Sequence, residues 1–236
     1  MSRGPKPPLT PSADTLIPAR DIAPGYDAFT ATYDAGRPQV VWTRLVADLE
    51  TPVSAYLKIA DKMPMSFLLE SVEGGSSRGR YSVIGLNPDL IWRATGNKAE
   101  INRAPMTNPG AFEGETVPAL TSLRKLLAES RIDLPEGLPP MAAGTFGYMG
   151  YDTVRLIEKL PEMGPDALGV PDAILIRPTL MVVFDSVKDE MTVVTPVRPQ
   201  KGVSAKDAFA AADARLSAAV ASLDAPLPHQ TSAALG

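Results

Sequence analysis

A long run of strand-forming residues near the C-terminal end of the chain constrains its fold more than any other feature. Residues 173–176 and 179–184 are apolar and rich in β-branched side chains, and they predict one long strand interrupted at Pro178. Residues 186–189 form a polar turn that leads into a second strand at residues 191–195. Adjacent strands joined by a short turn pair antiparallel, so the sequence predicts an antiparallel sheet.

Other segments indicate the same class of fold. Further strands are predicted at residues 40–46, 67–69, 81–84, 90–94 (after a turn at Asn87-Pro88) and 98–101. Helices are predicted at residues 26–33, 52–59, 116–130, 148–157 and 204–223. Because the strands come in hairpins and the helices are interspersed irregularly, we predict an α+β fold of mainly antiparallel sheets with flanking helices.

Two of these helices carry recognisable start signals. Thr51 followed by Pro52 predicts an N-cap and a first helical residue, and Ser204 with Asp207 predicts a capping box. Helical spacing in the first of them predicts an inward face made of Val53, Tyr56, Leu57 and Ala60.

Composition excludes several classes of function. The chain has no cysteine and one histidine, His229, so disulfides, thiolate chemistry, histidine triads and multi-histidine metal sites are not available to it. Its net charge of −4 comes from interspersed acids and bases, without the basic stripe that nucleic-acid binding uses. No apolar run is long enough to cross a membrane, and the N-terminus lacks an apolar signal core. We therefore expect a cytoplasmic protein with neither nucleic acid nor a membrane as partner.

Proline content divides the chain into three parts. Residues 1–25 are proline-rich with few large apolar side chains, and we predict a disordered leader there. Residues 26–223 contain the predicted helices and strands and form the domain. Residues 224–236 are polar and proline-containing, which is typical of a linker.

Two polar residues directly follow the predicted strand at residues 67–69. A carboxylate at Glu70 suits an ammonium group, and a hydroxyl at Ser71 suits a carboxylate, so together they fit an α-amino acid. Alternatively, Glu70 is a solvated strand end and Ser71 bonds to a nearby loop. The residues alone favour the second interpretation.

The loop at residues 73–80 is rich in glycine and carries Arg78 and Arg80. Backbone N–H groups and guanidinium groups of this kind can hold a phosphate. The loop lacks the Gly-Lys-Ser/Thr ending of a nucleotide-binding loop, and no helix follows it, which favours a surface hairpin loop.

Glycines at positions 144, 147 and 150 alternate with aromatic residues. A loop that binds a ligand through its aromatic side chains is one interpretation. Close packing of the backbone against a sheet is the favoured one, because glycine permits that approach. Asp152 and Arg155, three residues apart on the helix predicted next, fit an ordinary surface ion pair.

Four ordered segments, residues 48–58, 66–75, 78–85 and 147–155, resemble the N-terminal domain of anthranilate synthase component I. They include the strings Leu-Glu-Thr-Pro, Leu-Leu-Glu-Ser-Val-Glu-Gly and Gly-Tyr-Met-Gly-Tyr-Asp, and the resemblance extends over residues 26–223. The second string favours the anthranilate branch over the related large subunit of aminodeoxychorismate synthase, which is the alternative.

The resemblance implies a function for the whole enzyme. Such enzymes convert chorismate and ammonia to anthranilate and pyruvate with Mg²⁺, and a glutamine amidotransferase subunit, component II, supplies the ammonia. Tryptophan, the end product of the pathway, inhibits them. The resemblance places part of the tryptophan pocket on Leu68, Leu69, Glu70 and Ser71, with Tyr81 and Ser82 as further candidates.

The family's residues for chorismate and Mg²⁺ lie in a C-terminal domain whose motifs do not occur in this sequence. The resemblance therefore implies the N-terminal half of an α/β/β/α fold, inactive alone, with no catalytic residue and no cofactor of its own. A non-catalytic amino-acid-binding remnant is the other possibility. Apolar surface intended for the other half would be exposed, which predicts weak stability or self-association of the isolated chain.

Overall fold

In the computed structural model, which describes residues 21–71, 79–161 and 168–228, one eight-stranded sheet organises the chain. Its strands are β1 (Gln39–Val46), β2 (Phe67–Leu69), β3 (Tyr81–Thr95), β4 (Lys98–Asn102), β5 (Glu113–Gly114), β6 (Phe146–Met149), β7 (Ala173–Asp185) and β8 (Glu190–Val197). The helices are α1 (Tyr26–Asp34), α2 (Pro52–Ile59), α3 (Ala119–Ser130) and α4 (Ala205–Leu223), with a 3₁₀ helix at Tyr151–Leu156.

The two longest strands, β3 and β7, form the centre of the sheet. They pair antiparallel from Tyr81 opposite Asp185 to Ala94 opposite Ala173. Towards one end of this pair, β2 adds to β3 while β8 and then β1 add to β7. Towards the other end, β4 and β5 extend from β3, and β6 pairs with β7. The predicted α+β fold with mainly antiparallel strands and flanking helices is confirmed.

The predicted break at Asn87-Pro88 was wrong, because β3 continues through it. The strand absorbs a register shift between Pro88 and Leu90, and Asn87 adopts a positive φ of 52°. Pro88 lies opposite Pro178 of β7, so the two residues that lack an N–H group share one position in the strand pairing. The Thr179 hydroxyl donates to the Asn87 carbonyl oxygen at 2.6 Å, which ties the two strands together at this point.

The predicted helix starts are confirmed for α2 and α4. The Thr51 hydroxyl accepts from the Ser54 N–H at 3.1 Å, and the Ser204 hydroxyl accepts from the Asp207 N–H at 3.1 Å. The predicted inward face of α2 was partly wrong. Its buried side chains are Ala55 and Ile59, followed by Ala60, whereas Val53 is exposed. The small side chains of Ala55 and Ala60 face inward because α2 packs against both α4 and β3.

Two apolar clusters hold the helices on the sheet. The larger one joins one end of the sheet to α1, α2 and α4 and includes the rings of Phe29 and Tyr33, with Phe209 against them. The smaller one packs α3 against β3 and β4 around Trp92. Burial of apolar surface on this scale is the main stabilising contribution.

Several large apolar side chains remain exposed around β6 and the 3₁₀ helix, among them Tyr148, Met149, Tyr151 and Ile157. Self-association of the chain through this surface stays a prediction. None of the helices in the described ranges is both long and apolar enough to cross a membrane.

Candidate functional site

A pocket of about 270 Å³ lies where the β7–β8 turn, the end of β2, the start of β3 and the start of α2 meet. We call it the Glu70 pocket. Its walls include Glu70 and Ser71 after β2, Ser82 on β3, and Thr51 at the start of α2. Known small-molecule sites begin at a few hundred Å³, so this one suits a ligand of amino-acid size.

The structure brings together three of the six predicted tryptophan-site residues. Glu70, Ser71 and Ser82 line the Glu70 pocket. Leu68 packs into the larger apolar cluster beneath it. Leu69 is 55% exposed and does not line the pocket. Tyr81 lies on the opposite face of the sheet from Ser82, because side chains alternate along a strand, and it packs against the cluster of Val83, Met181 and Val183.

One hydrogen bond fixes the end of β2 against β3. The Ser71 N–H donates to the Ser82 hydroxyl oxygen at 3.2 Å, and Ser82 is only 8% exposed. With its oxygen occupied as an acceptor, the Ser82 hydroxyl retains its proton as a donor. The Glu70 side chain is exposed and makes no hydrogen bond or ion pair to the described residues.

Charge in the pocket is predominantly negative. Glu70, Glu50, Asp189 and Glu190 all line it. Among the described residues, the only cation paired with any of these four is the ammonium group of Lys58, which binds Glu50. Acidic groups of this density favour a positively charged ligand group, such as the ammonium of an amino acid.

Arg80, the basic residue that lines the Glu70 pocket within the described ranges, is engaged by a carboxylate. Its Nε and Nη2 donate to the two oxygens of Asp185 at 2.8 and 2.6 Å. This bidentate bond, supported by the Val187 and Lys188 N–H groups, holds the pKa of Asp185 below its ordinary value despite burial. The same bond raises the pKa of Arg80. Arg80 therefore forms part of the wall. Residues 73–78 of the predicted surface hairpin loop, which include Arg78, lie outside the described residues.

Replacing Arg80 by methionine is expected to lower the free energy of unfolding at pH 7 by more than the removal of an exposed ion pair does, because it leaves the Asp185 carboxylate without its bidentate cation. The folded pKa of Asp185 is depressed, so its contribution is present above the unfolded pKa of about 4 and is lost as pH falls through the folded value. Urea denaturation at pH 7 and pH 3 should therefore show a smaller difference between variant and wild type at pH 3. Arg131→Met, which removes an exposed pair with Asp133, is the matched control and should cost under about 1 kcal/mol. Equal losses in the two variants would contradict the role given to Asp185.

No pattern in the sequence indicated that the residues of the β7–β8 turn or the start of α2 belong to this site. Asp189 and Glu190 belong to a hairpin that was predicted only as structure, and Thr51 only as a helix cap. The signal for Asp185 was a carboxylate at the end of an apolar strand, the same pattern that drew attention to Glu70.

The described residues contain no group of three or more histidine, cysteine, aspartate or glutamate side chains placed to hold a metal ion. The Mg²⁺ that the resemblance associates with full-length enzymes stays a prediction, and no chemical step through a metal is assigned to this chain. The other carboxylate noted in the sequence, Asp152, forms the predicted pair with Arg155 at 2.9 Å.

Fold and pocket together define an α+β domain that presents a small acidic site and no visible catalytic apparatus in the described residues. Comparison with known proteins identifies its relatives. The chain is 49% identical over 205 residues to anthranilate synthase component 1 of Cereibacter sphaeroides, an alignment that covers 87% of this chain and 41% of that protein. It is 38% identical over 185 residues to the Thermus thermophilus protein of the same name, covering 78% of this chain and 36% of the relative.

These alignments place the chain in the anthranilate synthase component 1 family, as a partial member that spans about two fifths of its relatives' length. No protein-family model matches the chain. Among solved structures, anthranilate synthase component I from Streptococcus pneumoniae superposes with a TM-score of 0.48 and 20% identity, covering 78% of this chain and 37% of that one.

Proposed function

We propose that this chain is the tryptophan-sensing part of an anthranilate synthase component I, with the Glu70 pocket as its share of the tryptophan site. The observation that carries the proposal is that Glu70, Ser71 and Ser82 line one acidic pocket of about 270 Å³. The carboxylate of Glu70 would bind the ammonium group of tryptophan. The Ser71 and Ser82 hydroxyl groups would donate to its carboxylate.

The apolar part of the ligand needs apolar surface as well. Phe184 contributes to the pocket wall from β7, and Leu69 and Val53 are exposed on neighbouring elements. This surface is small for an indole ring. We therefore expect that the isolated chain binds tryptophan much more weakly than a full-length component 1 protein does.

Inhibition by tryptophan requires that it binds one state of the whole enzyme better than another. Substitution of Glu70 by glutamine, in a full-length component 1 protein that contains this chain, should remove the ion pair to the ammonium group. A charge-assisted hydrogen bond contributes about 1.5 to 3 kcal/mol, so the inhibitory concentration of tryptophan should rise at least about tenfold. Turnover without tryptophan should be unchanged.

Glu113→Gln is a suitable control, because Glu113 is an exposed carboxylate on β5 at the far edge of the sheet. Ser71→Ala tests the proposed hydrogen bond from the Ser71 hydroxyl to the carboxylate group of tryptophan in the same inhibition assay. Unchanged inhibition in both Glu70→Gln and Ser71→Ala, with Glu113→Gln also unchanged, would remove the Glu70 pocket from the tryptophan site.

The remaining parts of the proposal concern the whole enzyme. In it, this chain would act with a chorismate-binding region that binds Mg²⁺ and with component II, which supplies ammonia from glutamine. The family relationship supports these assignments, since the relatives are named as component 1 of an anthranilate synthase.

A further inference from the structure

A second pocket lies at the other end of β8, far from Glu70. It has a volume of about 240 Å³ and is lined by Arg198, Arg215, Asp89 and Thr179, among others. We call it the Arg198 pocket. Strand β8 begins at Glu190 in the Glu70 pocket and reaches the second pocket at Val197. At about 3.3 Å per residue, the two sites are roughly 20 Å apart.

Two carboxylates at or near this pocket, Asp89 and Glu129, are already paired with other arginines. Arg177 is buried, and its Nε and Nη2 donate to the two oxygens of Asp89 at 2.7 and 3.1 Å. Arg103 binds both oxygens of Glu129 in the same way, at 2.7 and 2.9 Å. The pKa of Glu129 is lowered, chiefly by its bond to Arg103. Each carboxylate is thus occupied by one bidentate guanidinium group.

Two guanidinium groups remain without a carboxylate of their own among the described residues. Arg198 donates to the Ser130 carbonyl oxygen at 3.0 Å and approaches Asp89 only to 4.0 Å, and its buried Nε has no hydrogen-bond partner. Arg215 donates from Nε to the Thr195 hydroxyl at 2.8 Å, and no ion pair joins it to a described residue. Both side chains are largely shielded from water, and both line the same cavity.

The described carboxylates therefore do not fully balance the positive charges of Arg198 and Arg215. Burial and, to a smaller extent, the nearby positive charge of Arg177 lower the pKa of Arg198 to about 10, against the opposing effect of Asp89 and Glu129. Burial also lowers the pKa of Arg215. The further acid at the rim, Asp207, is exposed and accepts a hydrogen bond from the Ser204 hydroxyl at the start of α4.

We propose that the Arg198 pocket is a binding site for a small oxyanion, a phosphate or carboxylate group, held between the guanidinium groups of Arg198 and Arg215. An anion there would accept from the terminal nitrogens of Arg215 and lie beside the guanidinium group of Arg198, whose buried Nε has no hydrogen-bond partner. It would also compensate the excess positive charge in a space that shields it from water. The site is separate from the Glu70 pocket, and it does not depend on tryptophan binding.

Calorimetric titration of the full 236-residue chain with inorganic phosphate tests this site. The ionic strength is kept constant by replacing chloride with phosphate, so that the screening of surface charges does not change during the titration. We expect one saturable site. Arg215→Gln should weaken it at least about tenfold, because a charge-assisted hydrogen bond is lost. Arg131→Gln, at an exposed arginine outside the Arg198 pocket, should leave it unchanged.

Arg198→Lys provides a second variant that keeps the positive charge and removes the planar fork. It should bind phosphate more weakly than wild type and more tightly than Arg215→Gln. Circular dichroism confirms that each variant is folded before titration. Absence of a saturable heat in the wild type would overturn the proposal, and so would equal phosphate affinity in wild type and folded Arg215→Gln.

Discussion

Replacing Gly147 by alanine is expected to lower the free energy of unfolding by about 3 kcal/mol or more. A Cβ atom at this position would lie 1.9 Å from the carbonyl oxygen of Ile174 and 2.9 Å from its carbonyl carbon. Both atoms belong to the backbone of β7, which is held by β3 on its other side, so neither can move aside cheaply. The strand β6 would have to separate from β7, with loss of the pairing from Phe146 to Met149.

Urea denaturation followed by far-UV circular dichroism measures this loss. Gly110→Ala is the matched control, because Gly110 is exposed, has no positive φ and has no atom within 4 Å of an added Cβ. It should change the free energy of unfolding by less than about 0.5 kcal/mol. A loss below about 1 kcal/mol in Gly147→Ala would mean that β6 and β7 separate easily, contrary to the packing described here.

Trp92→Ala is expected to cost about 3 to 5 kcal/mol, as large aromatic truncations in a core do. Trp92 is 1% exposed at the centre of the cluster that holds α3 on β3 and β4. Its indole N–H donates to the Ser122 hydroxyl on α3 at 3.0 Å. The truncation removes the packing contacts of the ring. It also removes the hydrogen bond from the indole N–H to Ser122, which joins β3 to α3.

Trp92→Phe separates the two contributions. It keeps most of the ring and removes the donor, so we expect a loss of about 1 to 2 kcal/mol, because the Ser122 oxygen loses the indole N–H while the Ser122 hydroxyl still donates to Glu115 at 3.2 Å. Unfolding is again followed by circular dichroism, because the substitution removes one of the two tryptophans that fluoresce. Equal losses in Trp92→Ala and Trp92→Phe would assign the whole effect to the hydrogen bond and none to packing.

Local signals in the sequence predicted the parts of the fold that local chemistry decides. Ser204 and Asp207 marked the start of α4, and Thr51 with Pro52 marked the start of α2. The β7–β8 hairpin followed from two strand-forming runs around one short turn. In each case the deciding contacts lie within a few residues of each other in sequence, where a pattern of residue types can report them.

Distant contacts explain what the sequence did not predict. Asn87-Pro88 has the composition of a turn, yet β3 continues through it because β7 pairs with the strand on both sides of the register shift. In the same way, Glu70 and Ser71 were recognisable as unusual polar residues. Their pocket, however, is completed by Asp185 and Glu190, more than a hundred residues further along the chain. No local pattern shows which distant carboxylates will share a cavity.

The central pair of strands also has a kinetic consequence. Partners in β3 and β7, from Ala94 with Ala173 to Tyr81 with Asp185, are separated by about 80 to 100 residues of chain. Every other strand of the sheet attaches directly or indirectly to this pair. A long loop must therefore close, at a cost in conformational entropy, before most of the sheet can form. A high contact order of this kind slows folding. Until closure, the apolar edges of the hairpins are accessible to other chains, so a newly made molecule is most vulnerable to aggregation in that interval.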